Sequence, residues 1–356
     1  MDTTSAPQLI EHVHKSLTFT PYDTLWIPCS ARLVAMGITP KSKGILQVFE
    51  MNRGDLNLVA EYEKPNGIKC GTFGASPLED RSIAVGDYAG VLNIWDVERN
   101  DLPIYSVQAH TTIINAIDGV GGVDVGYGAP EIVTGGRDGC VRVWDPRVQE
   151  PVLSLEPEEG QQVRDCWAVA FGDCHSDEDR CIAAGYDNGD VKLFDLRTNS
   201  LRWEGNVNNG VTCLEFDRKD VEMNKLVVTT LESRIRLFDM RTQHAEEGFA
   251  CLAEKAHKAT VWISRHLPQN RDIFLTGGGN GGLNVYKYHY PKSRVSTDKN
   301  NAPIGVVGSV ELLNSRVIST QPVVAANWSP DREGLLTLVC LDQTLRVFIV
   351  TKLHKY

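Results

Sequence analysis

The 356-residue chain is 42% hydrophobic and 23% charged, the balance of a folded protein rather than of a disordered one. Its net charge of -10 and the lack of any basic stripe exclude a general nucleic-acid binder, whose affinity rests on neutralising phosphates. No apolar run of about eighteen residues occurs, so neither a membrane span nor a membrane partner is expected, and nine scattered cysteines never spaced CxxC suit a reducing, cytoplasmic setting.

In chain order, the first expected element is a strand over "LIEHVHK" (9–15), followed by an inner strand "DTLWIPC" (23–29) and the run "KGILQVFEM" (43–51). That run recurs as "GDYAGVLNIWDVE" (86–98), "GGRDGCVRVWDPR" (135–147), "GYDNGDVKLFDLR" (185–197), "LESRIRLFDMR" (231–241), "GGGNGGLNVYKY" (277–288) and "CLDQTLRVFIVT" (340–351). The shared aromatic falls at Phe49, Trp95, Trp144, Phe194, Phe238, Tyr286 and Phe348, in steps of 46, 49, 50, 44, 48 and 62 residues. Those steps slightly exceed the roughly 40–45 residues of a four-stranded propeller blade. The third copy divides into "INAIDGV", "EIVTGGR", "VRVWDP" and "PVLSLEP", four short strands parted by Gly, Pro and Asp turns.

Between these strands the sequence offers little cofactor chemistry. Cys166, Cys174, His175 and Cys181 match no zinc template, and the glycine-rich runs 118–128 and 276–282 lack the strand-to-helix setting of a phosphate cradle, so turns are expected there. No metal or other cofactor is predicted. The last step is lengthened by "HYPKSRVSTDKNNAPIGVVGS" (289–309), whose composition suits a mobile insertion between strands.

The stretch "TGGRDGCVRVWD" and the Ala-His pairs at 109–110 and 256–257 resemble the WD-repeat family, which carries Gly-His at that place. The resemblance implies an all-β, seven-bladed propeller formed by residues 1–356, its ring closed by the N-terminal strand as the last blade's outer strand. It also implies a structural hydrogen-bond chain through His110, Thr134, Asp138 and Trp144. A hydrolytic His-Asp-hydroxyl reading competes with it, but the hydroxyl lies inside a strand and the chain ends on tryptophan.

Aligning the seven inner strands places Tyr22, Lys69, Asn115, Trp167, Thr212, Trp262 and Val324 at the wide mouth of the ring, with Arg164 and Asp165 beside them. Tryptophan and tyrosine are enriched at binding hot spots, so this rim is the expected partner surface. Three successive repeats end aromatic-Asp-x-Arg, at Arg147, Arg197 and Arg241. Each arginine is either a docking group or a pair with an acid or carbonyl of the next blade.

Stretches that a propeller does not require, among them "RDCWAVAFG" (164–172), "LEFDRKDVEMNKLVVTT" (214–230) and "AHKATVWISRHLPQN" (256–270), are similar to the WD-repeat axonemal dynein assembly factors from about residue 8 onward. That similarity implies a non-enzymatic co-chaperone adaptor, a monomer within a larger complex. Its implied partners are subunits of a prefoldin-like, AAA-ATPase-containing chaperone complex and dynein heavy chains. The alternative is a substrate receptor of a cullin-type ubiquitin ligase docking through the three arginines. A third is a propeller hydrolase with polar groups in its channel.

Overall fold

The computed structural model describes residues 6–99, 101–122, 128–158, 160 and 162–356; the turn expected over 118–128 therefore falls partly outside the described residues, at 123–127. Seven four-stranded antiparallel sheets follow one another around a ring. Blade one runs outward from the channel through Thr20–Trp26, Arg32–Ile38, Gly44–Asn52 and Asp55–Lys64. Blade seven takes three strands from the C-terminal end, Val323–Trp328, Leu335–Cys340 and Thr344–Val350, and its outer strand, Leu9–Ser16, from the N-terminal end. The pairing runs from Leu9 opposite Val350 to Ser16 opposite Thr344, which closes the ring as predicted.

Burial explains the texture of the sequence. Second strands such as Ser82–Asp87 and Lys225–Thr230 are covered on both faces and are buried throughout, whereas the closing strand Leu9–Ser16 alternates. The core lies in the seams between blades: Val133 and Val143 of blade three pack with Val169, Phe171 and Ile182 of blade four. The repeated aromatic is the register mark of each sheet. Phe49, Trp95, Trp144, Phe194, Phe238, Tyr286 and Phe348 stand opposite Leu33, Ile83, Ile132, Ile182, Leu226, Phe274 and Leu336. Such cross-strand pairs fix which face of a strand turns inward.

Residues 289–309 differ from a plain loop. The third strand of blade six continues to His289, and Val295–Thr297 then pairs with Pro303–Gly305 in a small hairpin before the outer strand Ser309–Val317. The hairpin folds because Asp298 Oδ1 accepts the N–H groups of Asn300 and Ala302 at its tip. Its base is held as well, by Gly308 N–H donating to Tyr288 Oη at 2.6 Å. A third strand runs parallel to the first, so this hairpin lies at the end of the ring opposite the starts of the inner strands.

Candidate functional site

Each inner strand breaks its pairing at one residue. The breaks fall between Pro21 and Asp23, Ile68 and Cys70, Ile114 and Ala116, Cys166 and Ala168, Val211 and Cys213, Val261 and Ile263, and Val323 and Ala325. The residues left over are Tyr22, Lys69, Asn115, Trp167, Thr212, Trp262 and Val324, the seven placed at the mouth by alignment. A bulge re-aims its extra side chain, so the fold turns one residue per blade onto the opening. All seven line the central channel of ≈ 820 Å³.

The seven are not equivalent. Asn115 Nδ2 donates to Cys166 O at 3.0 Å, and Thr212 Oγ1 donates to Val261 O. Both carbonyls belong to the residue before a bulged tryptophan, so blades three and five hold the strand starts that present Trp167 and Trp262. The Trp167 ring lies against Gly210, where an added methyl would come within 3.1 Å of it, yet it is only half-buried; Trp262 is 37% exposed. Lys69 Nζ stands 4.7 Å from the Tyr22 ring, which meets Tyr88 at 5.7 Å. Asp165 pairs with Arg137 at 3.4 Å, and neither it nor Arg164 lines the channel.

Below the mouth the wall carries polar groups that sequence reasoning missed. Asp118 Oδ2, Glu215 Oε2 and Asn327 Oδ1 accept backbone N–H groups from Phe171, His266 and Trp26 on the following blade, at 2.9, 2.7 and 3.0 Å. Asp23 Oδ2 does the same for Gly71 at 3.0 Å. These latches brace the seams 3–4, 5–6, 7–1 and 1–2. Three of the four acceptors sit three residues after the bulge, so one further column of the alignment would have found them. Burial pushes the Asp23 carboxyl up to about 6 against the lowering charges of Arg265 and Lys69.

The chain through blade three is bracing. His110 Nδ1 lies 2.8 Å from Asp138 Oδ1 and Nε2 lies 2.8 Å from Thr134 Oγ1, which accepts the Trp144 indole N–H at 2.9 Å. Burial alone would raise the Asp138 carboxyl, but the His110 ring and the N–H groups of Thr111 and Cys140 hold it well below the usual range. The chain decays elsewhere. In blade six His257 reaches Thr276 at 2.8 Å, Asn280 Oδ1 is left without a partner, and burial pushes the His257 ring down to about 4. In blade seven Ser319 replaces the histidine and donates to Asp342 at 2.8 Å.

Thr134→Val should strand both the His110 nitrogen and the Trp144 N–H and cost about 2–6 kcal/mol, at roughly 1–3 kcal/mol per orphaned group. Thr276→Val strands only His257, because Tyr286 Oη has Ala256 O and Asn284 Nδ2 within reach, and should cost about half as much. Urea denaturation of both variants measures the difference.

The three arginines do not pair with an acid of the next blade. Arg147 and Arg241 fold back onto Asp145 and Asp239 two residues earlier, with Nε–carboxylate distances of 2.9 Å in both, because the tight turn brings the two side chains together. Arg241 also lies 4.7 Å over the Tyr290 ring and is largely buried, whereas the Arg147 side chain is 70% exposed. For Arg197 the turn contact is its backbone N–H to Asp195 at 2.8 Å.

A family model described as "WD domain, G-beta repeat" matches residues 102–145, and one described as "Nucleolar protein 10-like, N-terminal domain" matches residues 129–266. Full-length relatives carry the name dynein axonemal assembly factor 10. The Xenopus tropicalis protein is 56% identical over 98% of both chains, and the Homo sapiens and Chlamydomonas reinhardtii proteins are 54% identical over 100% of both. The bulged ring, its register marks and this identity along the whole propeller agree: the chain belongs to the dynein axonemal assembly factor 10 family of WD-repeat proteins.

Proposed function

We propose that the chain is a non-enzymatic scaffold for the assembly of axonemal dynein, and that it works in the cytoplasm before the motor reaches the cilium. Its relatives' shared name supports the assembly role. The observation that carries the mode of action is the ring of seven bulges, which holds two partly exposed tryptophans over the channel while neighbouring blades fasten their strand starts. Preorganised aromatic groups of this kind bind a partner with little loss of side-chain entropy. The partners in this reading are subunits of a prefoldin-like, AAA-ATPase-containing chaperone complex and dynein heavy chains. The His110–Asp138–Thr134 set is committed to bracing, which favours a scaffold over a hydrolase. A ligase-receptor role would rest on Arg147 and Arg197, since Arg241 is largely buried.

The test is rescue of ciliated cells that lack the protein. The Trp167→Ala/Trp262→Ala variant should fail to restore heavy-chain levels and ciliary beating, with partner capture weakened about thirtyfold, while its thermal midpoint stays within a few degrees of the parent. Full rescue by that variant would remove the rim from the reading, and normal heavy-chain levels in the knockout itself would remove the assembly role.

A further inference from the structure

We infer that the channel mouth receives an aspartate or glutamate side chain from an extended segment of the partner, with that segment's neighbouring apolar side chain seated at Trp167 and Trp262. This rests on the rim being the partner surface and adds the chemistry it selects.

The first observation is a pair of cations that no carboxylate contacts. Most charged groups lining the channel are neutralised by direct contact: Lys219 by Asp118, Arg218 by Asp220, and Asp217 by Lys225 and Arg271. Among the described residues, Lys69 and Arg265 form no ion pair. The Arg265 guanidinium donates from Nη1 to its neighbour's carbonyl, Ser264 O, at 2.9 Å and to Cys213 Sγ at 3.3 Å. Lys69 has the face of Tyr22. Cys213 directly follows the bulge at Thr212, so the tip of Arg265 stands about one residue below the ring to which Lys69 belongs. Both cations are therefore at the depth that one acidic side chain entering from the mouth would reach.

The second observation concerns the lining carboxylates whose charge reaches them, Asp23 for both and Glu215 for Arg265, neither of which turns to meet them: Glu215 accepts the His266 N–H at 2.7 Å. Asp23 is turned to the wall, where its two oxygens accept the N–H groups of Thr24 at 2.8 Å and Gly71 at 3.0 Å. The third observation is that two lining side chains more than nine-tenths buried, Trp26 and His266, keep a ring nitrogen with no hydrogen-bond partner. His266 Nδ1 is engaged by Glu215, which leaves Nε2. Two cations near the mouth that no carboxylate contacts, with unpartnered ring nitrogens deeper in the wall, suit an anionic group, and a buried charge pair is where electrostatics supplies specificity.

The probe is a library of random nonapeptides displayed with no free C-terminus, panned against the full-length chain, so that any acid selected is a side chain. Selected peptides should be enriched in Asp or Glu beside Phe, Trp or Leu. A synthetic copy of the strongest should lose about tenfold or more in affinity when its acid becomes the amide, and likewise against Lys69→Gln or Arg265→Gln protein. It should bind more tightly to Asp23→Asn protein. Arg265→Lys stands in if Arg265→Gln fails to fold, and should retain binding better than Lys69→Gln.

Peptides without acid enrichment, or a library that yields no binder, would overturn the inference. Peptides that need Trp167 and Trp262 but not the two cations would leave the rim as a partner surface and remove the carboxylate from it. Peptides that ignore the tryptophans too would remove both.

Discussion

A chain lacking residues 1–16 should not yield a soluble, closed ring. The deletion removes the seven partners that Thr344–Val350 has on its outer side, from Leu9 to Ser16, together with two buried side chains. Leu9 packs with Leu336, Phe348 and Val350, and Val13 with Leu345, Val347 and Leu56. At roughly 1.5–3 kcal/mol for each apolar side chain, plus the lost ladder, the deletion costs more than about 5 kcal/mol, comparable with the whole stability of a typical domain. Arg346, buried beneath the strand, also loses Glu11 at 3.3 Å. The bared strand "TLRVFIV" then becomes a flat apolar edge of the kind that templates aggregation. Size-exclusion chromatography should show the truncated chain in the void volume. Addition of a peptide spanning residues 6–18 during refolding should recover part of the monomer, and a truncated chain that remains monomeric with an unchanged midpoint would refute the closure argument.

Lys225→Met should be the most damaging single substitution away from the mouth. Lys225 and Asp217 both have side chains of 0% exposure and lie 3.2 Å apart, and Lys225 Nζ also donates to Asp272 at 2.8 Å and Tyr290 Oη at 2.6 Å. Breaking a buried pair by removing one partner typically costs about 3–5 kcal/mol, and the lower end applies here because Arg271 still holds Asp217 at 2.8 Å. Burial alone would raise the Asp217 carboxyl, but Arg271 and Lys225 outweigh it and hold the group below its ordinary range. Burial would likewise lower Lys225, but Asp217, Asp272 and Tyr290 outweigh it and leave it raised.

The signs give a pH window. The depressed Asp217 contributes stability above its unfolded value of about 4, lost as pH falls through the lower folded value. The raised Lys225 contributes stability below its unfolded value of about 10.4, lost as pH climbs past the higher folded one. The parent therefore holds this contribution across roughly pH 4–10. The variant should be less stable at pH 7 and lose less of its remaining stability on acidification, as urea curves at pH 7 and pH 3 would measure. Because Tyr290 anchors the hairpin, trypsin should also cut faster at Lys292, Arg294 or Lys299 in the variant. An unchanged cleavage rate would mean that the hairpin is held without Tyr290, by Tyr288 and by contacts such as His244 with Asp298 at 3.5 Å.

These two features differ in how far they can be read from sequence. Closure was legible because a strand-like run precedes the first repeat and no outer strand follows the last, and both facts are local. The rim was legible for a similar reason: a bulge falls at a constant offset in every copy, so aligning the copies aligns the mouth. The Lys225 network was not. Asp217 and Lys225 lie in one repeat, but Asp272, Arg271 and Tyr290 come from 47 to 65 residues away and meet them across a seam, where spacing within one repeat carries no information. Arg265 was hidden in another way, as the cation in a column whose other polar members, Asp118, Glu215 and Asn327, are acceptors. The clasped arginines were misread because Asp-x-Arg in a tight turn satisfies itself before any neighbour can compete.

The latches in the channel wall have a consequence of parity. Seams 3–4 and 5–6 are latched in the channel wall, and among the described residues 2–3, 4–5 and 6–7 are not, the Asp173 carboxylate that accepts Met223 N–H at 2.7 Å across seam 4–5 lying outside that wall. Strict alternation can close on itself only with an even number of blades; with seven, two adjacent seams must be alike, and the mismatch falls at 7–1 and 1–2, on either side of blade one. The sevenfold pseudosymmetry seen from outside is thus broken within, and the channel wall has a built-in origin at blade one.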